Sequence, residues 1–140
     1  MTFEENVEKA LFARAESLPF AVANPTKVAW PNKPFNAPAD GSAYVEVAQF
    51  PNRGTRYGLP SDGSEFNFGF LQLLVRAPRN AGYQEATKIA GELALHFPAD
   101  LKLYSEGVRV KISKRPDVMS ASPTEASWNV PVTVYYEAFA

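Results

Sequence analysis

Trp128-Asn129-Val130-Pro131-Val132-Thr133-Val134-Tyr135-Tyr136-Glu137 alternates with a period of two. Successive side chains of an extended chain point to opposite sides, so Val130, Val132, Val134 and Tyr136 share one face of a strand. Residues 107–113 repeat the pattern, with Val108, Val110 and Ile112 inward and Arg109, Lys111 and Ser113 outward. Two earlier stretches also read as strands. Residues 66–77 put Leu71, Leu73 and Val75 on one face and Phe70, Gln72 and Leu74 on the other. Residues 43–50 put Val45 and Val47 on one face and Tyr44, Ala48 and Phe50 on the other. Apolar groups on both faces of 43–50 imply an interior strand, or one covered on both sides.

Two segments carry the helical period instead. In residues 3–18, Val7, Ala10, Leu11, Ala15 and Leu18 recur at spacings of three and four. Glu4, Glu5 and Glu8 suit the positive end of its dipole. Thr2 is the N-cap, Glu5 is placed to close a capping box, and Pro19 ends the helix. In residues 83–97, Ala86, Ile89, Ala90, Leu93, Ala94 and Phe97 form one stripe, which Pro98 stops. The order helix, strands, helix, strands predicts a single α+β domain over residues 1–140. Its sheet is mostly antiparallel, with a mixed sheet as the alternative, and both helices pack on one face.

Three connections stand out. Thr26 to Pro31 reads as a short extended piece, followed by a polar loop to about Ser42. Within it, Pro31 and Pro34 fix their own φ and push Trp30 and Lys33 to extended geometry. Trp30 therefore needs a pocket, in its own core at one end of the sheet or on a neighbour. Residues 51–65, with Asp62-Gly63 and several further Gly and Pro, predict a projecting β-hairpin arm with a mobile tip. Lys114 to Ser127 reads as a polar loop.

Composition narrows the function. A chain of 140 residues, 46% apolar and 21% charged, is an ordinary globular length and mixture. Folding at this size buries roughly 68–70% of the unfolded surface. The net charge of −1 argues against a surface built to neutralise many phosphates. With no cysteine, disulfides, thiolate chemistry and Cys-based metal sites are excluded. No apolar run reaches the ~18 residues that span a bilayer. Met1-Thr2-Phe3-Glu4-Glu5 lacks a signal peptide's basic start. The expectation is a soluble protein that stays where it is made, unless it leaves within a larger particle.

Catalytic constellations are missing. His96 is the single histidine and sits at a helix C-terminus, where it suits the dipole. One His and no Cys leave no triad, and the scattered carboxylates suggest no metal site. No cofactor is expected. Pro78-Arg79-Asn80-Ala81-Gly82 precedes a helix and could hold an anion, but a turn needs Asn and Gly there anyway. Arg53 and Arg56 either meet a partner or keep the arm soluble.

The order of short motifs adds more. Ala29-Trp30-Pro31-Asn32 with Phe35 comes first, then Tyr44-Val45 and Gly69-Phe70-Leu71-Gln72-Leu73. Pro78 with Gly82, Ile89-Ala90 and His96-Phe97-Pro98 follow, then Val108-Arg109-Val110 and Trp128 with Pro131-Val132-Thr133-Val134 and Tyr136. This series resembles the tail terminator family of long-tailed bacteriophages, of the lambda minor tail protein U type. The resemblance spans nearly the whole chain except the arm at 51–65. It implies a non-enzymatic subunit of a phage or prophage that forms a hexameric ring and self-associates weakly when free. The ring caps the major tail tube protein, stops its polymerisation and offers a surface to a head-completion or neck protein. DNA passes through without being specifically bound, and no membrane is involved. The implied locations are the host cytoplasm during assembly and the head-proximal end of the virion tail. Candidate interface residues are Trp30, Asn32, Phe35, Arg53, Arg56, Tyr57, Asp62, Arg109 and Lys111, with Arg53 to Gly63 expected to order on assembly. The alternatives are another head–tail joining protein, or a monomeric ligand- or nucleic-acid-binding domain.

Overall fold

The structure is a computed structural model that describes residues 2–51, 66–80, 82–124 and 127–140. The expected arm, with Arg53, Arg56, Tyr57 and Asp62, lies outside the described residues. Those described form eight strands, three α-helices and one 3-10 turn.

The two longest strands are the centre. β3 (Phe66–Pro78) and β8 (Ser127–Phe139) run antiparallel over 13 residues each. Leu71 faces Val134, Leu73 faces Val132 and Val75 faces Val130, and all but Val130 are essentially fully buried. The alternation read from the sequence is therefore the core face. β2 (Tyr44–Pro51) flanks β3 antiparallel and adds Val45 and Val47 to that face. On the far side of β8 lie β5 (Val108–Ile112) and then β4 (Lys102–Ser105). β1 (Val28–Ala29) pairs with β2 in parallel, so the strand order is β1-β2-β3-β8-β5-β4 and the sheet is mixed.

α1 (Phe3–Glu16) packs on β4 and β5, and α3 (Gln84–His96) on β3 and β8. The apolar stripe of α3, Ala86 to Phe97, is buried as its spacing predicts. Thr2 caps α1, its Oγ1 accepting from the Glu5 backbone N–H at 3.2 Å. The first helix stops at Glu16 instead of 18, and Pro19 opens a second short helix, α2 (Pro19–Ala23). Proline forces the preceding Leu18 out of helical geometry, to φ −55° and ψ 136°. It is then well suited to a first helical position, where no N–H is needed.

Other expectations also shift. The extended piece at 26–31 is shorter: a 3-10 turn takes Pro25–Lys27 before β1 begins. β4 was not foreseen. It is joined to β5 by Glu106-Gly107, with φ values of 43° and 83°, a tight two-residue turn that twists with its strands. The polar stretch 114–127 contains β6 (Asp117–Val118) and β7 (Ser122–Pro123), both paired to β8. Four residues, 113–116, face only 134 and 135, so the chain bulges here and keeps pairing beyond.

Candidate functional site

Trp30 follows β1 directly and lies partly buried against the core, its ring 5.8 Å from that of Phe12 on α1. Asn32 is exposed with φ 54°, a left-handed conformation that asparagine tolerates, and it turns the chain off the sheet after Pro31. Phe35 packs on Tyr44 with ring centroids 5.1 Å apart.

Arg109 and Lys111 project from β5 on the face opposite the helices. The Arg109 guanidinium sits 4.9 Å over the Phe139 ring, and Lys111 pairs with Asp100 at 3.5 Å. Neither meets Trp30: β2, β3 and β8 lie between their strands. The predicted residues that are described therefore divide between two sides of the sheet and do not converge on a pocket.

The same outer face holds residues that the sequence reading treated as covered. Phe50 stacks on Phe70 at 4.9 Å, and Phe70 meets Tyr135 at 6.4 Å, so one aromatic row crosses β2, β3 and β8. Lys114 lies 4.7 Å over Tyr135. Phe50, Phe68 and Tyr104 are 43%, 44% and 70% exposed. Apolar residues on a second face can thus mark an exposed patch, and alternation alone does not separate it from a buried one. A polar row crosses the same strands: Arg76 donates to Glu46 at 2.8 Å and to Asn129 at 3.1 Å.

His96 serves the fold. Arg14 Nε and Nη2 donate to the His96 carbonyl at 3.0 and 2.8 Å, satisfying the C-terminus of α3. In return, His96 Nε2 lies 3.0 Å from the Arg14 carbonyl and 2.8 Å from Ser17 Oγ. The Ser17 hydroxyl is spent on that same carbonyl, so Nε2 carries the proton. Burial, and then the nearby Arg14 charge, hold the His96 pKa below its ordinary value. Tyr136 is likewise structural. Burial raises its pKa, and Gln49 Nε2 donates to its hydroxyl at 3.0 Å. The turn before α3 takes left-handed geometry at Asn80 (φ 67°) and Gly82 (φ 92°), as a turn requires. Arg79 there donates to the Thr124 carbonyl at 3.1 Å. Among the described residues no three His, Asp or Glu gather to hold a metal, and no helix is long and apolar enough to cross a membrane.

Comparison with known proteins supplies what geometry does not. The family model described as phage tail terminator protein matches residues 6–136. The chain belongs to the phage tail terminator family. It is thus related to a structural component of phage tails. One solved structure superposes with a TM-score of 0.72 at 24% identity over 94% of each chain. At that identity the likeness speaks for the fold. A search of curated proteins gave no significant match. Among the described residues, the surfaces that the helices leave uncovered are the outer aromatic face and the two sheet edges.

Proposed function

We propose that this chain forms a hexameric ring on the last layer of a phage tail tube, stops its polymerisation, and presents a surface to a head-completion protein. The observation that carries this reading is the family match over residues 6–136. The role is mechanical and needs no catalytic group. The formal charge of −1 suits a channel that passes DNA without holding it. A closed ring needs a heterologous interface, in which one patch of a subunit meets a different patch on the next. Its natural site of action is the head-proximal end of the virion tail, reached by assembly in the host cytoplasm.

The test is assembly on its own target. Mass measured across a concentration series, with electron microscopy of the largest species, should give six-fold rings, at high concentration or on tubes. Added to polymerising tail tube protein, the chain should cap tubes and shorten their length distribution. A monomer at every concentration that leaves tube length unchanged overturns the proposal.

A further inference from the structure

We infer that ring subunits join edge to edge, the bare stretch of β2 pairing with β4 of the next copy, so that one sheet continues around the ring. This rests on the ring reading above and names its interface.

The sheet is open, with β1 and β4 at its ends. β1 is too short to close its side. It pairs only with Val45 and Glu46, leaving the last five of the eight residues of β2, Val47–Pro51, paired to β3 on one side and with no strand on the other among the described residues. The cause lies in Trp30-Pro31-Asn32. Trp30 turns into its seat against Phe12, Pro31 has no N–H to continue a ladder, and Asn32 takes φ 54°. Monomeric proteins blunt such edges with charge, bulges or cover, because unpaired N–H and C=O groups invite another strand. Val47-Ala48-Gln49-Phe50 carries no charge, and its one guard is Pro51 at the end.

β4 is the matching edge. It has four residues, close to the length left bare on β2, and no strand on its outer side among the described residues. Beside it runs an open groove between α1 and β4, lined by Ala10, Ala13, Arg14, Leu103 and Tyr104. A strand added to a sheet edge gains affinity from main-chain hydrogen bonds and specificity from such neighbouring pockets. The two edges differ and lie at opposite ends of one sheet. Their join is therefore heterologous, the kind that closes a ring when the rotation between copies divides a full turn evenly and there is no rise along the axis. A second copy is the favoured occupant because one chain carries both complementary edges.

The lack of cysteine makes the test direct. Ala48, Phe50, Lys102 and Tyr104 all project from the outer face by register. Directly opposed residues on paired strands have Cβ atoms about 4.5–5.5 Å apart, near enough for a disulfide after small adjustment. Single variants Ala48→Cys and Phe50→Cys on β2, and Lys102→Cys and Tyr104→Cys on β4, are assembled under ring-forming conditions and oxidised. Folding of each is checked by circular dichroism. One β2 variant mixed equally with one β4 variant should shift up to about half of the protein from a monomer band to a dimer band and no further, because about a quarter of randomly filled head-to-tail interfaces bring the two cysteines together. The matched double variant should give a ladder ending at the closed ring, while each single variant alone assembles but runs at the monomer band. Rings with no crosslink in any mixed pair, or single variants that crosslink to themselves, overturn the interface and leave the ring. A crosslink that needs added tubes and links only to tube protein gives the edge to that partner and also overturns it. Absence of rings under every condition overturns both readings, so the two failures are distinguishable.

Discussion

Gly69 lies directly across from Tyr136 in the β3–β8 ladder, and a side chain there has nowhere to go. Alanine would place its Cβ 2.6 Å from the Phe50 carbonyl oxygen, 2.9 Å from the Tyr136 hydroxyl and 3.0 Å from the Pro51 Cα. Two of those atoms are β2 backbone, so no rotamer change relieves the clash. The third belongs to a ring that is 1% exposed and tied to Gln49. Overpacking of this kind costs about 1–3 kcal/mol. Against it stands the gain from restricting the unfolded chain, about 0.4–1 kcal/mol. The net expectation for Gly69→Ala is a loss of about 0.5–2 kcal/mol. At about 2–4 °C per kcal/mol for a chain near this size, Tm should fall by about 1–8 °C. Gly91 supplies the control. It lies within α3, and a Cβ there meets nothing within 4 Å. Gly91→Ala should therefore gain about 0.8–1 kcal/mol of helix propensity and raise Tm by about 2–4 °C. Both variants would be followed by circular dichroism at one protein concentration, since association shifts Tm. The reasoning fails if Gly69→Ala is as stable as the parent, or if the two substitutions move Tm in the same direction.

Three further outcomes follow from the packing. Arg14→Met removes both guanidinium bonds to the His96 carbonyl and should cost about 1.5–3 kcal/mol, read as a lower urea midpoint with unchanged slope. The folded-state pKa of His96 lies below the unfolded value of 6.5, so its contribution is complete above about pH 6.5 and lost as pH falls through the depressed folded value. His96→Gln should flatten that part of the stability–pH curve, and an unchanged curve would refute the assignment. Trp30→Ala should leave the far-ultraviolet spectrum folded while lowering stability by about 2 kcal/mol, less than for a fully buried indole. Full unfolding at 25 °C, or no loss at all, would contradict its half-buried seat on Phe12.

The fold was legible where one residue type repeats at one period. Val130 to Tyr136 and Leu71 to Val75 carry the sheet's centre, and their alternation survives into the structure because one face is buried and a one-residue slip would expose it. The stripe from Ala86 to Phe97 is legible for the same reason. What stayed hidden depends on pairing at a distance. β4 (Lys102–Ser105) is four residues long and turns at Glu106-Gly107, a weaker signal than Asn-Gly. β6 and β7 are two residues each and exist only because β8 extends past β5 and offers a ladder. The parallel direction of β1 is set by the loop at 30–43 that carries the chain back, which no local pattern encodes.

Candidate surfaces were less legible, and the reason is again physical. A period-two pattern says which residues share a face but not which face is covered. Phe50 and Phe70 therefore looked like core, and their row with Tyr135 emerged only once α1 and α3 were placed on the other side. Trp30-Pro31-Asn32 was conspicuous from the start, as a rigid aromatic in need of a pocket. It finds that pocket within its own chain, against Phe12. In the proposed join its effect runs through the neighbour it abandons: by leaving the sheet after Ala29, it leaves Val47–Pro51 of β2 without a strand on the side away from β3 among the described residues. A residue can thus matter to an interface without touching it. Under the proposed edge-to-edge join, changing Trp30 should disturb assembly mainly by loosening the β1 end of the sheet, whereas changing Phe50 or Tyr104 should act at the join itself.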